Sequence, residues 1–273
     1  MTENIAEKAA GNLRALREKR PLIHNITNYV VMNYTANALL SAGASPVMAH
    51  APNEVEEMAA LADALLLNIG TLSDDWIYSM IKAGKKAAQI KIPIVLDPVG
   101  AGATSLRTDA AKKIISETRP GLIRGNASEI LSLGDSGAAT KGVDSLHSVT
   151  EAEDTAKMLA KKLHTSLAIT GPADLITDGT RIVRISNGHP LMTYVTGAGC
   201  AASALIAAFM AVDADPLTAA ATALAFFGLA GETAARKTDV PGTFMIEMLN
   251  ALYSITAQDL KMGCRAEVSC HDL

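Results

Sequence analysis

Val195-Thr196-Gly197-Ala198-Gly199-Cys200 runs straight into an alanine-rich stretch from Ala201. Two glycines flanking one small residue let the backbone turn tightly and aim several N–H groups at one point. A helix starting behind them adds the positive end of its dipole, so the point suits a phosphate or a transferring phosphoryl group. Cys200 stands where a side chain reaches the same anion. The spacing also fits Gly-x-Gly-x-x-Ala, the dinucleotide fingerprint, with Asp213 and Asp215 downstream. That motif requires a preceding strand and a βαβ return. The residues after Cys200 instead read as helix upon helix to about 262, with no second strand. The reading is therefore an anion-binding turn heading a helical cap, beside the plain alternative of a glycine turn entering a buried helix.

Upstream, a short apolar strand, a polar turn and a helix alternate. Strands are expected at 21–24, 45–48, 64–68, 92–96, 121–123 and 167–170, with helices at about 28–42, 53–60, 74–88, 106–117, 126–132 and 150–163. A charged helix at 1–19, ended by Pro21, precedes them. This alternation means a parallel sheet with helices on both faces. Leu175-Ile176-Thr177 and Arg181 to Ile185 then flank Asp178-Gly179, a hairpin signal that adds an antiparallel edge. The segment from Gly134 to Ser148 reads as a long loop, a place where lids occur. No linker splits the chain, so one α/β domain is expected over 1–273.

Charged residues make up 19% of the 273, below the usual share of about 25%, and apolar ones 49%. So apolar a chain is expected to bury helical faces against something, another subunit being one candidate. The net charge of −4 gives no basic footprint for nucleic acid. The longest apolar run, Cys200 to Val212, falls short of the roughly 18 residues of a membrane span. Asp215 and Pro216 then suit the N-cap and first position of a further helix. There is no signal-peptide pattern, and three cysteines make no disulfide framework, so a cytoplasmic setting is expected. Cys264, Cys270 and His271 read as a polar tail without metal-site spacing.

In an open parallel sheet, ligands sit beyond the carboxyl ends of the strands. Asp97, ending Ile92 to Leu96 before Pro98-Val99-Gly100, could hold Mg²⁺ through its water shell or simply form the turn. Arg124-Gly125-Asn126-Ala127-Ser128-Glu129 is close to a capping box, Asn126 to Glu129; the same geometry would set Glu129 near Mg²⁺ and phosphate, with Arg124 on a nucleotide. Thr170 offers a hydroxyl at a strand end. Asn25 and Thr27 could orient a small polar acceptor. Asn28 is equally a helix cap, His24 reads as packed rather than catalytic, and Met48 as core.

Together, His24-Asn25-Ile26-Thr27-Asn28, Gly43 to Met48, Asn68-Ile69-Gly70-Thr71-Leu72, Val95 to Ala101, Arg124 to Glu129 and Thr196 to Cys200 resemble the hydroxyethylthiazole kinase family, in order over about residues 10–260. The resemblance implies a ribokinase-like fold: a mostly parallel central sheet with an antiparallel edge hairpin. It implies phosphorylation of 4-methyl-5-(2-hydroxyethyl)thiazole by ATP with Mg²⁺, in thiamine salvage. It also implies a homotrimer with active sites at subunit boundaries. Carried over by motif, Met48 and Gly197 would contact the thiazole, Arg124 and Thr170 the nucleotide, and Asp97 and Glu129 the metal and phosphates. Cys200 would face the acceptor hydroxyl, where related sugar and pyrimidine kinases carry Asp. Its thiol pKa is expected to fall at a helix N-terminus and to rise beside phosphate. The N–H groups of Gly197, Ala198, Gly199 and Cys200 would form the anion hole. The rivals are a hydroxymethylpyrimidine kinase or a nucleotide-repair dehydratase on the same fold, and a non-catalytic thiazole sensor.

Overall fold

A computed structural model of the chain describes residues 4–134 and 149–269, so most of the 134–148 loop lies outside the described residues. Six parallel strands form the centre of the sheet: β1 (Leu22–Ile26), β2 (Ser45–Val47), β3 (Ala64–Asn68), β4 (Ile94–Asp97), β5 (Leu122–Asn126) and β6 (Ser166–Thr170). The antiparallel hairpin follows as β7 (Asp174–Thr177) and β8 (Ile182–Ile185), with Gly179 at φ +91° in its turn. One strand more than expected, β9 (Ala266–Ser269), extends the same edge, giving the order β2-β1-β3-β4-β5-β6-β7-β8-β9. Residues 266–269 of the tail thus form a strand, while Cys270 and His271 lie outside the described residues. Ala266 and Val268 pair with Ile185 and Val183, and this short alternation is masked in sequence by Arg265 and Glu267.

The helices divide between the two faces. On one lie α1 (Ile5–Lys19), α2 (Met32–Ala42), α8 (Ala198–Met210), α9 (Pro216–Ala235), α10 (Pro241–Ser254) and α11 (Ala257–Gly263). On the other lie α3 (Val55–Leu61), α4 (Asp74–Ile90), α5 (Ser105–Thr118), α6 (Ala127–Ser132) and α7 (Val149–Leu163). Strand β1 sits between β2 and β3, so the chain reverses direction across the sheet there. That reversal opens a crevice beyond the carboxyl ends of β1 and β3, the place where such sheets bind ligands.

Helix α8 lies across β1, β3 and β4. It is buried from Cys200 to Met210, and its alanines permit the close approach while Leu205, Ile206 and Phe209 fill the core. Burial of each of those three stabilises the packing by about 1.5–3 kcal/mol. Its first turn starts at Ala198, three residues before the expected Ala201, because the glycine turn is itself the helix start. Helix α9 is long and apolar enough to cross a membrane, but its apolar window is 89% buried within the protein, as a core helix is. Asp215 caps it and Pro216 occupies its first turn, as expected. Helix α2 begins at Met32 with Val31 as N-cap, so Asn28 is not a cap.

Candidate active site

The pleat puts alternate residues of a strand on opposite faces. Register pairs Asn68 with Asp97, and Leu96 with Ile123, so Asn68, Asp97 and Arg124 form one row across β3, β4 and β5. Two residues earlier on the same strands, Leu66, Val95 and Leu122 pack into the core beneath α8. The polar row therefore faces the N-terminus of α8. Arg124 lies within β5 rather than after it.

Asp97 is fully buried. Its Oδ2 accepts hydrogen bonds from Asn68 Nδ2 and Ser203 Oγ, both at 2.8 Å, and lies 3.8 Å from Arg124 Nη1. Oδ1 has no partner among the described residues. Burial pushes the carboxyl pKa up to about 6, against the lowering pull of Arg124 and the two hydrogen bonds.

The Arg124 guanidinium spans the row and the helix. Its Nη2 donates to Thr170 Oγ1 at 2.6 Å, and its Nη1 stands over Gly199. Arg124 Nε is buried without a partner. Beyond Thr170, Asp174 accepts from the Gly171 N–H at 3.1 Å; its burial raises its carboxyl to about 6 despite that bond and Arg124.

Gly197 is the N-cap of α8, in the left-handed region at φ +84°, with no side chain to cap the helix. A β-carbon there would stand 2.6 Å from Val31 Cγ1, so glycine is needed for both conformation and space. The Ala198 N–H donates to the Val195 carbonyl at 3.1 Å and so is already engaged, unlike the expectation that it joins the anion hole. Gly199 and Cys200 belong to the first turn, whose N–H groups have no acceptor within their own helix. These are the donors the turn offers to an anion.

Cys200 is buried, and its Sγ accepts from Asn28 Nδ2 at 3.5 Å. Burial, then the Asp97 charge, pushes the thiol up to about 11. The expected lowering at a helix N-terminus is overridden by loss of solvent.

Glu129 completes a capping box with Asn126: Oε2 accepts from the Asn126 N–H and Oε1 from the Gly100 N–H, both at 2.8 Å. Each oxygen keeps a lone pair. No three His, Cys, Asp or Glu converge as a metal cage among the described residues. Mg²⁺, however, uses one or two carboxylates beside phosphates and water. The buried, unpartnered Asp97 Oδ1 fits that demand.

Asn25, Thr27 and Met48 lie at the β1 and β2 end, and none shares a hydrogen bond with Asp97, Arg124 or Cys200 among the described residues. Asn25 Nδ2 donates to the Ile23 carbonyl, leaving Oδ1 buried and unpartnered, as is Thr27 Oγ1. His24 is packed: it is fully buried, with Nε2 2.7 Å from the Ala49 carbonyl, and burial lowers its pKa. The structure adds Asn68 and Ser203, which the sequence reading did not place in the site. Ser203 was findable, one turn beyond Gly199 in a run of alanines; Asn68 needed the strand register.

The family model for hydroxyethylthiazole kinases matches residues 13–258. The chain belongs to the hydroxyethylthiazole kinase family. It is 60% identical to the hydroxyethylthiazole kinase of Desulfotalea psychrophila over 97% of each chain. The solved structure of the hydroxyethylthiazole kinase protein from Pyrococcus horikoshii superposes with a TM-score of 0.89 at 43% identity, covering 96% of this chain and 99% of that one. The pyridoxal kinase of Staphylococcus aureus, solved with AMP-PCP and pyridoxal, shares the fold at a TM-score of 0.64 and 16% identity, over 92% of this chain and 99% of that one. The family membership makes this chain a kinase on a mostly parallel sheet with an antiparallel edge.

Proposed function

We propose that this chain transfers the γ-phosphoryl group of ATP to the hydroxyl of 4-methyl-5-(2-hydroxyethyl)thiazole, giving the thiazole phosphate and ADP for thiamine salvage. The observation that carries the chemistry is the Asp97–Arg124 row facing the first turn of α8. The family's near relatives supply the acceptor.

Phosphoryl transfer passes through a loose transition state and needs positioning and charge stabilisation more than covalent help. The N–H groups of Gly197, Gly199 and Cys200 and the Arg124 guanidinium hold charge on the transferring group, as donors of an oxyanion hole do. Arg124 and Thr170 bind the nucleotide. Asp97 and Glu129 would hold Mg²⁺, which when bound would neutralise phosphate charge. Met48, Asn25 and Gly197 hold the thiazole at the β1–β3 crevice. Cys200 faces the acceptor hydroxyl. Because a loose transition state asks little of a base, a thiol that stays protonated near neutrality is tolerable there.

The functional unit is one kinase domain in a cytoplasmic homotrimer, with each site at a subunit boundary. Tyr29 (64% exposed) and Val30 (66%), which follow Asn28 in the chain, and Tyr194 (71%), which precedes the glycine turn, are large apolar side chains left exposed in the single chain, and this exposure supports that assembly. The test is product identity. Incubation with MgATP should add one phosphoryl group to the thiazole alcohol, read by mass spectrometry, and none to hydroxymethylpyrimidine. Phosphorylation of the pyrimidine alone would move the substrate, and tight thiazole binding without transfer would favour a sensor.

A further inference from the structure

Two asparagines occupy the crevice between Cys200 and Asp97 and have no part in the mechanism above. Asn28 and Asn68 are both buried. Asn68 Oδ1 accepts from the Gly70 N–H at 3.0 Å and from Asn28 Nδ2 at 2.9 Å. Since a backbone N–H can only donate, Gly70 fixes which way the Asn68 amide points. Asn68 Nδ2 is thereby turned to Asp97 Oδ2. Asn28 Nδ2 reaches both Asn68 and Cys200 Sγ. Gly70 also supplies the space, because a β-carbon there would stand 2.5 Å from Asn28 Nδ2. The chain Cys200–Asn28–Asn68–Asp97–Ser203 is thus continuous in hydrogen bonds.

The directions of these bonds matter. Asn68 and Ser203 take up Asp97 Oδ2, so the carboxylate cannot rotate without breaking two bonds, and the bare Oδ1 stays presented. We infer that Asn68 is a positioning residue that fixes the Asp97 carboxylate for phosphoryl transfer, and that Asn28, seated by Gly70, ties the same amide to Cys200. This rests on the kinase reading above. A hydrogen bond to a charged group contributes about 1.5–3 kcal/mol, which read as turnover is roughly 10- to 100-fold.

The experiment compares wild type, Asn68→Ala, Asn68→Asp, Asn28→Ala, Cys200→Ala and the Asn28→Ala/Cys200→Ala pair in steady-state kinetics with MgATP and the thiazole alcohol. Calorimetric binding of the thiazole and thermal unfolding are measured alongside. Asn68→Asp keeps an oxygen toward Gly70 but sets a carboxylate against Asp97. Both Asn68 variants should lose roughly 10- to 100-fold in kcat, with both KM values and the thiazole affinity little changed. Asn28→Ala should lower kcat in the wild-type background and add nothing in the Cys200→Ala background, since Gly70 still holds Asn68. An unchanged kcat in Asn68→Asp, or losses that follow KM and thermal stability instead, overturn the positioning role. If the Asn68 variants do not fold, the Asn28–Cys200 cycle decides: additive losses overturn the link and non-additive losses support it. Absence of wild-type turnover overturns the kinase reading and this role with it; wild-type turnover with insensitive variants overturns this role alone.

Discussion

Gly199 lies directly under the Arg124 guanidinium: a β-carbon at position 199 would stand 2.6 Å from Nη1 and 3.0 Å from Nη2. The contact explains why the α8 turn needs its second glycine although Gly199 has no positive φ. The chain carries no phosphate-binding loop of the Gly-x-x-x-x-Gly-Lys-Ser/Thr kind. On the kinase reading proposed above, the Arg124 cation laid over the first turn of α8 would take that place.

Gly199→Val should therefore displace the guanidinium and cover the N–H groups together. Loss of one oxyanion-type donor costs about 10²- to 10³-fold in turnover, so a fall of at least that order in kcat/KM is expected. Thermal unfolding and kcat/KM of the purified variant check this. Unchanged turnover in a folded variant would remove the anion-hole assignment.

At position 200 the structure separates two ideas that the sequence left joined. A thiol at about 11 is about one part in a thousand thiolate at pH 8. Alkylation of Cys200 by iodoacetamide in the ligand-free protein, resolved by peptide mass spectrometry, should keep rising between pH 9 and 11. A plateau near the ordinary thiol value would contradict the burial argument. Cys200→Asp, which places an ionised acceptor beside Asn28, should retain or increase turnover.

Far from the site, Glu232 on α9 pins the edge strand to the loop before the glycine turn. Its carboxylate accepts from Arg265, from the Gly188 N–H and from Asn187. Burial alone would raise its pKa, but those donors outweigh it and hold the carboxyl below its usual value. A depressed folded pKa adds stability above the unfolded pKa, and that stability is lost as pH falls through the folded one. Glu232→Gln should thus lower Tm at pH 7 and have much less effect at pH 3. An equal drop at both would show that packing, not charge, carries the effect.

If the site is completed by a neighbouring subunit, mass and activity should fail together. Light scattering should give three times the chain mass, and Val30→Asp, at an exposed apolar side chain, should reduce the mass and the turnover in parallel. A fully active monomer would contradict the shared site.

How far the sequence revealed this arrangement follows from what each feature depends on. The parallel core, the Asp178-Gly179 hairpin and the caps at Asn126 and Asp215 are local, set by period, turn chemistry and capping within a few residues. Asp97 and Arg124 were visible as polar residues near strand ends, although Arg124 sits inside its strand. The Asn68 link was not visible, because it depends on register between β3 and β4, and the part played by Asn28 was hidden by its likeness to a cap. The sequence left the direction of the Cys200 thiol shift open between helix polarity and phosphate charge; burial, which decides it, depends on packing across the whole fold. Strand β9 was missed because its partner, β8, lies about 80 residues away in the chain.

Transfer from ATP to the thiazole alcohol at the α8 turn consumes ATP only when that acceptor is present. The most direct measurement is ADP release from MgATP with that alcohol, with hydroxymethylpyrimidine, and with no acceptor. Release is expected with the thiazole alone and is abolished by Gly199→Val. Release that ignores the acceptor, or that requires the pyrimidine, would contradict this transfer.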